Sequence, residues 1–299
     1  MLMDVLIIGG SFAGLSAAMP LIRARRNVLV LDTKMPRNRY ARASHGVFCL
    51  DGNAPDDIQA KALAQLKQYP IFSYKEDGAK IIDVTDAGFA VATSAGAVYR
   101  AKKVILAFGI QDQLPDIPGV RKFWGRSVIH CPYCHAYELS GGSLGVLATQ
   151  DISLHQAAMV SEWGETTLFT QGKFRPQGEH AETLQRQGVR IEDTPVVAVD
   201  GEGDQISAVR LKDGRHVALQ GLFVAPTLEV KSPLIDSLAL RLKDTPTGTF
   251  VEVDEFKESS VKGVFVAGDL SNPMQNATFA IASGTMAGIA AHRALIFNL

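Results

Sequence analysis

Short apolar runs alternate with helical patterns along most of the chain. The first run, residues 4–8, leads into a glycine-rich turn and an alanine-rich helical pattern, and a second apolar run covers residues 27–31. A buried strand, a helix and a second buried strand in this order predict a βαβ unit with parallel strands. The alternating pattern over residues 79–92 predicts part of a small β-meander, and residues 104–107 predict another buried strand.

A second α/β pattern follows a segment that breaks the periodicity at residues 114–119. It begins with a predicted strand over residues 144–148 and ends with one over residues 222–225. A second break at residues 244–248 precedes the last predicted strand and a final helix.

Two βαβ patterns in one chain predict an α/β fold with two Rossmann-like, three-layer dinucleotide-binding domains. We place the first domain at residues 1–113 and 245–299. The second domain, residues 114–244, is inserted into it.

Composition excludes several classes of function. The 299-residue chain has a net charge of -1, which offers no basic surplus for nucleic acid phosphates. The N-terminus lacks a signal-peptide pattern, and no apolar stretch approaches the roughly 18 residues that a membrane span needs. Three cysteines do not make a secreted disulfide framework. We therefore expect a cytoplasmic protein with neither nucleic acid nor membrane as a partner.

The first glycine turn has the spacing of a dinucleotide-binding loop. Gly9 and Gly14 occupy the first and third glycine positions, and Ser11 takes the second. Asp32 follows at about the distance expected of a carboxylate that binds a ribose hydroxyl. Glycines in such a loop allow a pyrophosphate to approach the backbone at a helix N-terminus. The alternative is a glycine-rich turn without a ligand.

Two later segments favour FAD over NAD. Residues 263–269 resemble the second flavin motif of FAD-dependent disulfide reductases, in which the aspartate binds a ribityl hydroxyl, and residues 104–109 resemble their middle motif with Phe108 replacing a threonine. The positive N-terminus of the last helix is then expected to face the flavin. The flavin-binding residues implied are Gly9, Ser11, Gly14, Asp32, Gly109, Gly268, Asp269, Asn276 and Ala277.

The most informative local signal is the pair Cys131 and Cys134, separated by two residues. Such a pair can form a reducible disulfide. Haem attachment also uses Cys-x-x-Cys-His but normally accompanies export, and a zinc site needs about four ligands, whereas no second paired cluster exists. A pair of inert packed thiols is the remaining alternative. Redox chemistry fits best, and we expect no metal.

His135 directly follows the second cysteine and is the candidate proton donor and acceptor for the pair, unless it is only a surface histidine. His45 either approaches the flavin or is a loop residue without a role. We expect the loop arginines to be solvated, the alternative being that they face the FAD phosphates. We expect Cys49 to be a packed thiol and not a third redox partner. The loop arginines are Arg37, Arg39 and Arg42.

Together these motifs resemble the low-molecular-weight thioredoxin reductases along nearly the whole chain. Histidine after the second cysteine is closer to the branch that includes the FAD-dependent dithiol oxidases of gliotoxin and holomycin biosynthesis. The resemblance implies that the cysteine pair lies in the nicotinamide-binding domain. It also implies that Cys134 faces the flavin, that Cys131 meets substrate, and that the protein is a homodimer.

The second nucleotide loop departs from that family. Where its glycines are expected, the chain has Ala148, Gln150 and Ser153, and each Cβ narrows the approach of a pyrophosphate. Residues 169–172 supply neither an acid for an NAD ribose nor an arginine cluster for an NADP phosphate, and Lys173 and Arg175 are the only basic candidates nearby. We therefore expect weak or no NAD(P)H binding and a degenerate second domain.

Without a nicotinamide donor, a substrate dithiol is the simplest source of electrons. The leading hypothesis is an FAD-dependent thiol-disulfide oxidoreductase of the dithiol-oxidase type, with Cys131, Cys134 and His135 as catalytic residues and oxygen as the acceptor. One alternative is a reductase of a thioredoxin-like protein, fed by ferredoxin, a second flavin or NADPH. Another is a non-enzymatic flavin redox sensor.

Overall fold

The computed structural model describes residues 2–297. The chain divides into two compact units. The first contains the chain up to Arg37, the stretch Pro55–Gln111 and the chain from Leu228 onward, and the second contains Asn38–Ala54 and Asp112–Thr227.

These boundaries differ from the predicted ones at residues 112 and 113, which belong to the second unit, and more widely in two other places. The chain returns to the first unit at Leu228 rather than after residue 244, because residues 244–248 form the turn of a hairpin, in which the Thr245 hydroxyl donates to the Gly248 carbonyl at 2.8 Å. Asn38–Ala54, which the sequence places in the first domain, belongs to the second unit. There Arg42 pairs with Asp204.

The strands and helices have the following bounds. The strands are β1 (Leu2–Ile8), β2 (Val28–Asp32), β3 (Phe72–Glu76), β4 (Ala79–Thr85), β5 (Gly88–Thr93), β6 (Val98–Leu106), β7 (Gln111–Gln113), β8 (Val128–Ile129), β9 (Ser143–Leu147), β10 (Glu165–Phe169), β11 (Arg190–Glu192), β12 (Val196–Glu202), β13 (Gln205–Leu211), β14 (His216–Ala218), β15 (Gly221–Val224), β16 (Thr227–Glu229), β17 (Leu242–Thr245), β18 (Gly248–Val251) and β19 (Val264–Val266). The helices are α1 (Phe12–Arg23), α2 (Pro55–Leu66), α3 (Val120–Phe123), α4 (Pro132–His135), α5 (Ile152–Val160), α6 (Gly178–Arg186), α7 (Pro233–Ser237) and α8 (Ala277–Phe297).

In the first unit, β1 is the central strand of a mixed sheet ordered β3-β2-β1-β6-β5-β4, with β19 paired to the end of β6. β1, β2, β3, β6 and β19 are parallel neighbours. Alternate side chains of β1 enter different cores: Ile7 packs with Ala17 of α1 and Ala287 of α8, whereas Leu6 packs with Val91 of the meander and Leu234 of α7. The sheet is therefore covered on both faces.

α8 packs on α1 through small residues. A Cβ at Gly284 would clash with the Ala13 carbonyl oxygen, and one at Gly288 would clash with that of Ala17, so only glycine lets the two helices approach this closely. Contrary to the expectation from sequence, α8 is long and apolar enough to span a membrane by length and composition alone, with a mean hydropathy of 1.3. Its small-residue face, however, is packed inside the first unit.

In the second unit, a parallel sheet ordered β11-β10-β9-β15-β8 has cores on both faces. Val146 of β9 packs with Leu154 of α5, and the next residue, Leu147, packs with Val209 of the antiparallel sheet β12-β13-β14. The two units together confirm the predicted α/β class. In each, the carboxyl ends of the parallel strands lie at one edge of the sheet, where nucleotide and redox sites of such folds form.

Candidate functional site

Three sequence-distant motifs meet at the carboxyl edge of the first sheet. Gly9 follows β1 with a φ of 106°, and a Cβ there would collide with the backbone of Ala107 and Phe108, which follow β6. A Cβ at Gly14 would collide with the carbonyl oxygen of Gly9, so α1 begins directly against the turn. Ser11, the N-cap of α1, makes no side-chain capping bond, and its hydroxyl accepts from Gln59 at 3.1 Å.

The turn after β19 is held against the same helix. Gly268 has a φ of 72°, and its amide donates to the buried hydroxyl of Ser283 in α8 at 2.8 Å. A Cβ at Gly268 would lie 3.0 Å from that of Ala13. Gly109, which ends the middle motif, also has a positive φ, of 75°. The glycine loop and the turn at Gly268 and Asp269 thus both contact the first residues of α1.

α8 begins where the sequence predicts the last helix. Ala277 is its first residue, and the Asn276 side-chain oxygen accepts from the Thr278 amide at 2.7 Å. This bond caps the helix, whose axis carries a partial positive charge at this end.

Asp32 ends β2 and lies over the glycine loop, because a Cβ at Gly10 would be 2.8 Å from its carboxyl group. Tyr74, on the neighbouring strand β3, donates its phenol to Asp32 Oδ2 at 2.6 Å. Burial and the bond to Asp32 raise the pKa of Tyr74, so the phenol stays protonated and remains a donor. Tyr74 therefore orients the carboxylate that is expected to bind the ribose, a role that sequence analysis missed.

Tyr74→Phe is expected to weaken FAD binding by about 1 kcal/mol, or roughly fivefold in Kd, because Asp32 loses the bond that orients it. Flavin fluorescence after dilution of the holoprotein measures the released FAD. Tyr69→Phe is the matched control, since the Tyr69 hydroxyl bonds Arg23 instead. Equal release from both variants would contradict the assignment.

Arg37 is not the solvated residue that the sequence suggested. Its guanidinium donates to Asp269 Oδ2 at 3.1 Å, and the two side chains are only 15% and 20% exposed. Arg39, in contrast, stacks on the ring of Tyr40. Asp269, whose carboxylate is predicted to bind the flavin ribityl chain, therefore also forms an ion pair with Arg37.

The edge of the first sheet fits FAD. Only glycine at positions 9 and 14 lets the turn pack against the backbone after β6 and lets α1 begin directly at the turn. Asp32 lies at the ribose position of the dinucleotide fold, and Asp269 follows the strand on the other side of β6.

The cysteine pair follows β8 at the carboxyl edge of the second sheet. Cys131 and Cys134 form a disulfide, with Cα atoms 5.4 Å apart, across the one-turn helix α4. Both residues are partly exposed. Pro132 starts the turn, as proline does at the first position of a helix. The pair is thus a disulfide that solvent can reach.

The residue before the pair is anchored to α5. The buried side chain of Gln156 donates to the His130 carbonyl oxygen at 2.6 Å, and the His130 ring packs on Trp124 with ring centres 6.0 Å apart. Sequence analysis missed Gln156, because a polar residue in an apolar helix carries no motif.

His135 ends α4 and lies one helical turn after Cys131. Burial lowers its pKa, the nearby His45 lowers it further, and Glu138 opposes both. His135 is therefore neutral at neutral pH and able to accept a proton from a thiol.

His45 lies beside His135, with ring centres 6.2 Å apart and the rings perpendicular. Its Nδ1 is 3.6 Å from Asp51 Oδ1 and its Nε2 is 3.4 Å from Glu138 Oε1. Cys49, on the same segment, is an exposed thiol outside any disulfide, so the expectation of a packed thiol is wrong. Within residues 2–297, His, Cys, Asp and Glu side chains form no group of three or more that could hold a metal ion.

The side chains of the loop after β9 form hydrogen bonds with the segment that follows β15. The Thr149 hydroxyl donates to the Ala225 carbonyl at 2.6 Å, and the Gln150 amide donates to the carbonyls of Ala225 and Pro226, both at 3.1 Å. The Thr149 amide donates to the Ser153 hydroxyl at 3.2 Å. The last of these bonds occupies a backbone N–H of the kind that faces a pyrophosphate in a working dinucleotide loop, and the others tie the side chains of the loop to the segment after β15.

The polar side chains at the end of β10, where the adenosine ribose of NAD(P) is normally recognised, are likewise bonded within the protein. Thr170 donates to Asp193 at 2.6 Å, and the Gln171 side-chain oxygen accepts from the Val196 amide at 2.7 Å. Arg175 pairs with Asp193 at 3.4 Å. This edge therefore does not fit NAD(P)H in the usual way.

A family model described as pyridine nucleotide-disulphide oxidoreductase matches residues 3–284. Thioredoxin reductase tcpT of Claviceps purpurea is 34% identical over 313 residues, covering 100% of this chain and 96% of the relative. An oxidoreductase from Agrobacterium tumefaciens superposes with a TM-score of 0.95 at 40% identity, covering 100% of both chains. HlmI superposes with a TM-score of 0.92 at 29% identity, covering 99% of this chain and 93% of HlmI.

These matches confirm the resemblance found in the sequence. The chain therefore belongs to the pyridine nucleotide-disulphide oxidoreductase family and is an FAD-binding oxidoreductase of the thioredoxin reductase-like type.

Proposed function

We propose that the protein is an FAD-dependent thiol-disulfide oxidoreductase that oxidises a small dithiol through Cys131 and Cys134 without NAD(P)H. The observation that carries the proposal is the loop after β9, whose side chains bond the carbonyls of Ala225 and Pro226. An enzyme that cannot take electrons from a nicotinamide has to take them elsewhere. A redox disulfide on the same edge of the sheet is the available entry point.

In the first step, neutral His135 accepts the proton of a substrate thiol. The resulting thiolate attacks Sγ of Cys131, the bond between the cysteines breaks, and Cys134 leaves as a thiolate. His135 then returns its proton to Cys134. The product is a mixed disulfide between the substrate and Cys131.

In the second step, His135 takes the proton of the second substrate thiol. That thiolate attacks the substrate sulfur of the mixed disulfide, Cys131 leaves as a thiolate, and His135 returns its proton to Cys131. The substrate is now a disulfide, and the cysteine pair holds its two electrons and two protons. Bound FAD supplies the two-electron acceptor that restores the protein disulfide, with oxygen as the final acceptor and hydrogen peroxide as its product.

FAD is proposed to be held by the residues of the first sheet edge. The loop from Gly9 to Gly14 faces the pyrophosphate, Asp32 the ribose and Asp269 the ribityl chain, while α8 directs its positive end toward the flavin. The full proposed set is Gly9, Ser11, Gly14, Asp32, Gly109, Gly268, Asp269, Asn276 and Ala277.

An anaerobic titration tests the function. We expect a small dithiol to bleach the flavin absorbance of the purified protein and NADPH at the same concentration to leave it unchanged. Air should then restore the absorbance and yield one hydrogen peroxide per substrate disulfide. Rapid bleaching by NADPH would identify a reductase instead. Bleaching by neither compound would favour a sensor or a ferredoxin-fed enzyme.

We further propose a cytoplasmic homodimer. Large apolar side chains line one side of α8 at helical spacing and are 42–62% exposed, which supports a second copy as the partner of this face. They are Phe279, Met286, Ile289, Ile296 and Phe297. Static light scattering of the purified protein distinguishes one copy from two.

A further inference from the structure

The segment Asn38–Ala54 brings a second imidazole to the redox centre from far away in sequence. Backbone bonds close the part of this segment from Ser44 to Asn53: the Ser44 amide donates to the Asn53 carbonyl at 2.8 Å, and the Gly52 amide donates to the Ser44 carbonyl at 2.9 Å. His45 lies at the base of this closed turn. Its ring is therefore presented by a structured segment and not by an open loop.

Both ring nitrogens of His45 face carboxylates. Asp51 lies on the Nδ1 side at 3.6 Å and is itself held by the Gly46 amide at 2.8 Å, whereas Glu138 lies on the Nε2 side at 3.4 Å. The edge-on contact of His45 with His135 joins these two carboxylates, through one ring, to the imidazole that follows the cysteine pair.

We propose that His45 is a positioning residue for the cysteine pair: held between Asp51 and Glu138, it keeps the neighbouring His135 in its neutral, proton-accepting form. The inference rests on the proposed function, in which His135 accepts protons from substrate thiols. The centre of the His45 ring lies 6.2 Å from that of His135, and His45 lowers the pKa of His135. His45 thereby keeps the base available below neutral pH.

The charged and titratable groups that face these two rings decide whether the pKa of His135 should rise or fall when His45 is replaced. His45 meets Asp51, Glu138 and His135. His135 meets His45, which lowers its pKa, and Glu138, which raises it. Removing the His45 ring leaves Glu138 unopposed, so the pKa of His135 should rise. We expect a rise in His45→Asn and a smaller rise in Asp51→Asn, which loses one of the two carboxylates that hold His45.

The direct measurement is an NMR titration of the oxidised holoprotein with labelled histidine, in which His135→Asn identifies the signal. His45→Asn should move the midpoint of His135 upward. His216→Asn is the matched control, because His216 also lies 3.6 Å from a carboxylate, that of Asp200, but on β14. It should leave the midpoint unchanged. His45→Gln and Asp51→Asn provide the same readout if His45→Asn does not fold.

The second readout is the rate of anaerobic flavin bleaching by a dithiol as a function of pH. The pH at which this rate falls off on the acid side should shift upward together with the NMR midpoint of His135. An unmoved midpoint in His45→Asn, with normal bleaching by dithiol, overturns the inference and leaves the proposed function standing. A raised midpoint in a protein that no dithiol bleaches supports the role of His45 and overturns the proposed function.

Discussion

Cys131→Ser and Cys134→Ser are each expected to abolish flavin bleaching by a dithiol, with a loss on the order of 10³-fold or more. Either change removes the protein disulfide, and with it the electrophilic sulfur that the substrate thiolate attacks. Stopped-flow absorbance under nitrogen measures the rate. The first unit, where FAD is proposed to bind, contains neither residue, so both variants should keep their flavin.

Cys49→Ser is the control, because Cys49 is an exposed thiol outside the disulfide. It should bleach at the parental rate. If either variant of the pair turns over dithiol as the parent does, the pair is not the entry point for electrons.

The same variants assign the two sulfurs when made in the Cys49→Ser background. With Cys134→Ser, the remaining Cys131 should react quickly with a pyridyl disulfide probe, since we propose it as the sulfur that meets substrate. With Cys131→Ser, Cys134 should react more slowly. The opposite order would exchange the two roles and leave the overall reaction unchanged.

The sequence predicts those features that depend on local pattern. Gly9 and Gly14 are needed where a turn passes close to another backbone, and the structure brings the backbone of Ala107 to Gly9 and that of Gly9 to Gly14. Alternating apolar runs predict the strands because side chains of a covered sheet enter a core on each face, as Leu6 and Ile7 do. The fold class follows from these local requirements, whereas the choice of FAD as cofactor follows from the resemblance of residues 263–269 and 104–109 to flavin motifs.

Long-range side-chain contacts could not be predicted in this way. The pairing of Arg42 with Asp204 and the approach of His45 to Glu138 place Asn38–Ala54 in the second unit, yet no periodicity connects these residues. The prediction of a domain break at residues 244–248 is wrong for a related reason. Proline and glycine mark a hairpin turn and a linker equally, and only strand pairing distinguishes them.

The second nucleotide loop, which follows β9, could be predicted from the sequence only in part. Missing glycines predict that a pyrophosphate cannot approach Ala148, but they do not reveal what fills its place. The structure shows that Gln150 reaches across to the carbonyls after β15. A side-chain amide with four hydrogen-bonding positions can satisfy two carbonyls at once, which the pattern of apolar and polar positions does not record.

His135→Asn is expected to slow anaerobic reduction by dithiol by about 10²- to 10⁴-fold, the usual contribution of a general base. The loss should depend on pH. Burial lowers the pKa of His135, so the parental rate should hold as the pH falls until it passes below the ordinary histidine value of about 6.5.

Without the base, reduction depends on the thiolate fraction of the substrate, whose pKa is about 8.5 for an ordinary thiol. The rate of His135→Asn should therefore increase about tenfold per pH unit up to that value, and the ratio of parent to variant should be largest near pH 6 and smallest near pH 9. His155→Asn, on the exposed side of α5, should follow the parent at every pH. A ratio for His135→Asn that stays constant from pH 6 to 9 would show that His135 supports the disulfide structurally and carries no proton.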